Sequence, residues 1–242
     1  MKYKILIFDL DDTLIDNKES VRAAFKIMLE AQNLTYSEVD FTNWYKIDKK
    51  FWADWQDGLV EVPNELKHET GKKSDTFLDW VRSQRVLIYF NHSISKERAI
   101  ELNNIYMNSL HEVVIAVAGA LQTLEYLSKK YKIIVATNGP KVAAKQKLEK
   151  VGCLQYVTEV LSADMFGFMK PKIEFFHAIE DRYSDSHTKD YLIIGDSLKS
   201  DVGFGMTAGI DSCWFNQRHE DIDTIHTPTF TISKLHELKE IL

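Results

Sequence analysis

Ile5-Leu6-Ile7-Phe8-Asp9-Leu10-Asp11-Asp12-Thr13 joins an unbroken apolar run of β-forming residues directly to an acidic cluster. An apolar run without alternation reads as a strand buried on both faces, the pattern of a parallel sheet covered by helices. In such sheets, functional groups collect at the carboxyl ends of the strands, where Asp9 falls. Alternate residues of an extended strand point to opposite faces, so Asp9 and Asp11 can share one cavity only if the chain turns after Leu10.

Similar runs recur at Lys132–Thr137, at residues 156–161, at Tyr191–Gly195 and at residues 212–215. Between them lie helical patterns at residues 119–130, 141–151 and 174–182. Strands alternating with helices predict an α/β fold with a parallel sheet, and place Asp9, Thr137 and Asp196 at strand ends. The stretch from about Lys18 to Ser109 differs: it holds four of the five tryptophans and its apolar residues follow helical spacing. It reads as an inserted, mainly α-helical domain whose last helix covers residues 97–110. The expected division is a core of residues 1–16 and 111–242 around an insert of residues 17–110.

A chain of 242 residues can bury a sizeable core, and its net charge of −6 argues against binding a nucleic acid polymer. A small anionic substrate needs only a local positive site. Cys153 and Cys213 have no partner at metal-site spacing and read as reduced thiols. The first apolar run is too short for a signal peptide, and no segment approaches the roughly 20 apolar residues of a membrane span. A cytoplasmic protein with no membrane association is expected.

Two neighbouring carboxyl groups can divide labour, one ionised as nucleophile or metal ligand and the other exchanging protons. A lone Asp-x-Asp more often marks a turn or a calcium-type loop. Here Phe8-Asp9-Leu10-Asp11-Asp12-Thr13-Leu14 resembles the first motif of the haloacid dehalogenase-like hydrolase superfamily. Ala136-Thr137-Asn138-Gly139, Phe168-Met169-Lys170-Pro171 and Ile194-Gly195-Asp196-Ser197-Leu198-Lys199-Ser200-Asp201 resemble its other three, in order.

The resemblance implies a Rossmann-like core with an inserted helical cap, and a Mg²⁺-dependent phosphatase acting through an aspartyl-phosphate. Asp9 would be the nucleophile and Asp11 the acid/base, oriented by Thr13. Thr137, Asn138 and Lys170 would bind phosphate, helped by the amino end of the helix near Pro140. Asp9, the Asp11 carbonyl and Asp196 would hold Mg²⁺. Asp201 would support Lys170 or a metal-bound water, with direct ligation of the metal as the alternative. Asp11 counts against the family's dehalogenases, which lack that second aspartate.

The pattern is most similar to capped nucleoside 5′-monophosphatases, including pyrimidine nucleotidases, which implies a small phosphorylated metabolite such as a nucleoside monophosphate. A sugar phosphatase or phosphomutase, or a noncatalytic regulator that binds phosphorylated ligands, are the alternatives. Trp44, Tyr45, Phe51, Trp52 and Trp55 offer a base-stacking wall, but Trp44, Phe51 and Trp55 share a helical stripe, and core packing is the preferred reading. Ala118 stands where the family often has proline, and Lys172-Ile173 where an acidic or small residue is frequent.

Overall fold

A computed structural model describes residues 2–56, 59–60 and 75–242, the side chains of 55–56 and 75–78 excepted. Two compact units are present, one formed by Met1–Asn17 with Val114–Leu242 and the other by Lys18–Val113.

The first unit is built on six parallel strands, β1 (Ile5–Phe8), β2 (Lys132–Thr137), β3 (Glu159–Ser162), β4 (Tyr191–Gly195), β5 (Asp211–Phe215) and β6 (Phe230–Ile232), in the order β3-β2-β1-β4-β5-β6. Sequence order reverses at β1, which therefore lies in the middle, with Phe8 level with Val135 on one side and Ile194 on the other. That point of reversal is where open α/β sheets form a crevice.

Both faces of the sheet are dry, which is why β1 reads as a continuous apolar run. Leu6 and Phe8 pack with Leu124, Leu127 and Leu148 on one face, while Ile5 and Ile7 meet Phe175, Phe176, Ile179 and Phe204 on the other. Each such fully buried side chain contributes about 1.5–3 kcal/mol of transfer free energy. The run expected over residues 156–161 starts later: Leu154–Tyr156 forms a 3₁₀ turn and β3 begins at Glu159. Cys153 and Cys213 are buried free thiols.

The second unit consists of α-helices, among them Glu38–Gln56, Asp75–Tyr89 and Lys96–Glu112. Its core is aromatic. Trp44 is fully buried and stacks on Phe25 with ring centroids 5.4 Å apart, and its edge meets Tyr106 at 5.0 Å. Phe51 is buried too, so core packing accounts for both residues, while Tyr45 and Trp52 are half-buried. The Trp55 side chain lies outside the described residues. Arg85, buried in the same unit, pairs with Asp48 and donates to Asn103 Oδ1 at 3.2 Å, which meets the requirement that a buried charge be paired. Among the described residues no helix is long and apolar enough to cross a membrane.

Candidate active site

Asp9 takes the last rung of β1: its N–H donates to the Ile194 carbonyl at 2.9 Å. The chain then turns as the sequence requires, with the Leu10 carbonyl accepting the N–H groups of Leu14 and Ile15, each at 2.9 Å. Asp12 adopts a φ of 64° within this turn, a left-handed conformation that aspartate tolerates better than most side chains. Arg218 pairs with Asp12 at 3.1 Å, and both line a small cavity bordered by Asp196.

Thr13 is fully buried, and its hydroxyl oxygen accepts the Asp196 N–H at 3.0 Å. The hydrogen bond that Thr13 makes at this site is thus to Asp196. The Thr13 hydroxyl ties the loop after β1 to the loop after β4. The Asp196 carbonyl in turn accepts the Trp214 indole N–H at 2.8 Å, so the aspartate backbone is held on both sides.

Lys170 is the hub. Its ammonium lies 2.8 Å from Asp9 Oδ1 and 2.6 Å from Asp201 Oδ1, with the lysine side chain wholly out of solvent. Burial alone would lower the Lys170 pKa, but the charges of Asp201 and Asp9 outweigh it and raise the value above its ordinary range. Asp201 Oδ2 also accepts the Ser197 N–H at 3.1 Å. Gly195 leaves room for this arrangement: a Cβ there would sit 2.2 Å from Asp201 Oδ2. The glycine and second aspartate of the fourth motif are thus one packing unit.

Asn138 follows Thr137 at the end of β2; its Oδ1 accepts the Lys170 N–H at 2.8 Å and its Nδ2 donates to the Lys170 carbonyl at 3.1 Å. These two bonds place the Lys170 main chain. Thr137, the last residue of β2, is buried and accepts the Gly139 N–H at 3.0 Å. The helix expected near Pro140 spans Lys141–Lys150, and the Asp164 carboxylate accepts the Lys141 N–H at 3.1 Å, so a protein anion already meets that amide.

Asp9, Asp196 and Asp201 each offer an oxygen within 4.8 Å of the others. Burial, followed by the charges of Asp9, Asp201 and Asp12, pushes Asp196 up to about 8 against the lowering by Arg218. Burial likewise raises Asp9, opposed by Lys170 and assisted by Asp201. Hard, mutually repelling oxygen donors of this kind suit a divalent cation such as Mg²⁺.

Asp11 stands apart from the Lys170 network. Its Oδ1 accepts from the ammonium of Lys147 at 2.6 Å. Lys147 was missed in the sequence because it sits in a lysine-rich helix that reads as a solvated face.

Residues 3–209 match the haloacid dehalogenase-like hydrolase family, to which the chain belongs. It is an enzyme of that hydrolase family, and relatives align over its whole length. The pyrimidine 5′-nucleotidase YjjG of Escherichia coli is 26% identical, with 100% of this chain and 99% of the relative covered. The pyrimidine 5′-nucleotidase PynA of Streptococcus pneumoniae is also 26% identical, covering 100% and 96%. Among solved structures, the HAD-hydrolase YfnB of Bacillus subtilis, bound to magnesium, superposes with a TM-score of 0.81 at 25% identity, covering 100% of this chain and 99% of that one.

Proposed function

We propose that this enzyme is a Mg²⁺-dependent phosphate monoester hydrolase that forms an aspartyl-phosphate on Asp9. The observation that carries the reading is the buried ammonium of Lys170 held between Asp9 and Asp201, beside Asp196 and at the ends of adjacent strands. In this reading an Asp9 carboxylate oxygen attacks phosphorus, the bond to the ester oxygen breaks, and Asp11 protonates the departing alcohol. Asp11 then takes a proton from the water that hydrolyses the aspartyl-phosphate, releasing inorganic phosphate. Lys170 and the Thr137 hydroxyl meet the charge on the equatorial phosphoryl oxygens.

Asp9, Asp196 and the main-chain carbonyl of Asp11 would hold Mg²⁺, which supplies charge neutralisation for the phosphoryl group when bound. Asp201 supports Lys170. The helical unit encoded between Asn17 and Val114 serves as the cap that chooses the substrate.

The substrate class we assign is nucleoside 5′-monophosphates. Support comes from the two full-length relatives named as pyrimidine 5′-nucleotidases. Hydrolysis of p-nitrophenyl phosphate with and without Mg²⁺, in the wild type and in Asp9→Asn, tests the chemistry; undiminished turnover in Asp9→Asn refutes it. A panel of nucleotides and sugar phosphates tests the substrate class. Turnover of sugar phosphates with no nucleotide hydrolysed would reject that assignment while leaving the chemistry intact.

A further inference from the structure

The Asp11–Lys147 pair joins groups 136 positions apart. Ala144 and Leu148 are buried and fix the Lys141–Lys150 helix against the sheet, while Lys147 lies beside Leu148 and is only 27% exposed along its side chain. The same helix starts just after Thr137-Asn138-Gly139. On the other side, the Leu10–Ile15 turn fixes the Asp11 backbone, leaving its side-chain torsions as the freedom to be removed.

With Asp11 40% exposed, the pair adds only about 0–1 kcal/mol to stability. Its effect on geometry is larger. A carboxylate that must meet an attacking water loses rate steeply when it samples other rotamers.

Resting on the reading of Asp11 as acid/base, we propose that Lys147 is a positioning residue that holds the Asp11 carboxylate in the rotamer that meets the hydrolytic water. In that step the water oxygen bonds to phosphorus, its proton passes to Asp11, and the bond from phosphorus to the Asp9 oxygen breaks. Lys147 acts through Asp11 and takes no part in the bond changes. Its loss should slow hydrolysis of the phosphoenzyme and leave the preceding transfer from a good leaving group unaffected, because p-nitrophenolate departs without protonation.

The test is rapid-quench kinetics with p-nitrophenyl phosphate and Mg²⁺ on wild type, Lys147→Met, Lys147→Gln and Lys147→Arg. Decay of the phosphoenzyme should slow about tenfold in Lys147→Met and Lys147→Gln, a fraction of what a misplaced general base forfeits. A burst of p-nitrophenol should appear, kcat and KM should fall together, and Lys147→Arg should recover most of the decay rate. Unchanged decay, or a fall in kcat/KM without a burst, overturns the proposal. Undiminished turnover in Asp9→Asn would instead refute the underlying reaction.

Discussion

Asn138 grips Lys170 by both ends of its side-chain amide, accepting the lysine N–H at 2.8 Å and donating to the lysine carbonyl at 3.1 Å. A residue from the end of β2 thereby sets the main chain from which the central ammonium of the site projects. The second and third motifs are physically one device.

Replacing Asn138 by alanine removes both bonds, and aspartate removes the donor. Each bond has a net worth of about 0.5–1.5 kcal/mol, so a modest fall in melting temperature is expected. Activity should suffer more, by about one to two orders of magnitude in kcat, because displacement of a charge-stabilising group is costly. Steady-state kinetics beside thermal melts check this; equal activity in Asn138→Ala would show that Lys170 is placed by other contacts.

Thr13→Val keeps the shape and deletes the acceptor for the Asp196 N–H. Leaving that group unpaired in a buried setting should cost about 1–3 kcal/mol, and Thr13→Ser should restore most of it. Since the lost bond positions Asp196, the Mg²⁺ concentration needed for half-maximal activity should also rise. A denaturant melt and a Mg²⁺ titration measure the two effects.

For Lys170, the expected consequence of Lys170→Met is severe, about 3–5 kcal/mol, because Asp9 and Asp201 are left facing each other without a cation. Neutralising Asp201 as well should return part of that loss, so Lys170→Met/Asp201→Asn should be more stable than Lys170→Met. Both variants should be inactive. Additive destabilisation in a double-mutant cycle would contradict the coupling.

The raised carboxyls give a pH signature. Asp196, up at about 8 from an ordinary 3.8, and Asp9, raised in the same direction, keep protons in the metal-free fold that the unfolded chain releases. Their contribution to stability therefore falls as pH rises from about 4 toward 8. Mg²⁺ requires both groups ionised and offsets their repulsion, so its stabilising effect should be greater near pH 8 than near about pH 5.5. Melting temperatures with and without Mg²⁺ at both pH values, repeated on Asp196→Asn, check this; an equal shift at the two pH values would reject it.

What could be read in the sequence follows from what is local. Ile5–Phe8 shows its burial by composition, and Thr137 and Asp196 stand visibly at the ends of apolar runs. Asp9, Lys170 and Asp196 could be named because each belongs to a short motif. Partnerships across the fold were harder. The bonds from Thr13 to Asp196 and from Asn138 to Lys170 depend on which loops the sheet order makes adjacent. Lys147 had no local mark at all among Lys141, Lys145 and Lys150 on the same helix.

The two points where the chain leaves and re-enters the first unit are fastened together: Asp16 N–H donates to the Ile115 carbonyl at 2.8 Å, and Ile15 forms an antiparallel bridge with Ala116. A chain that exits and returns through one stitched doorway can lengthen, shorten or exchange what lies between without moving a strand. For this enzyme, the helical unit and the strands that carry the candidate active site lie on separate stretches of the gene and can change independently.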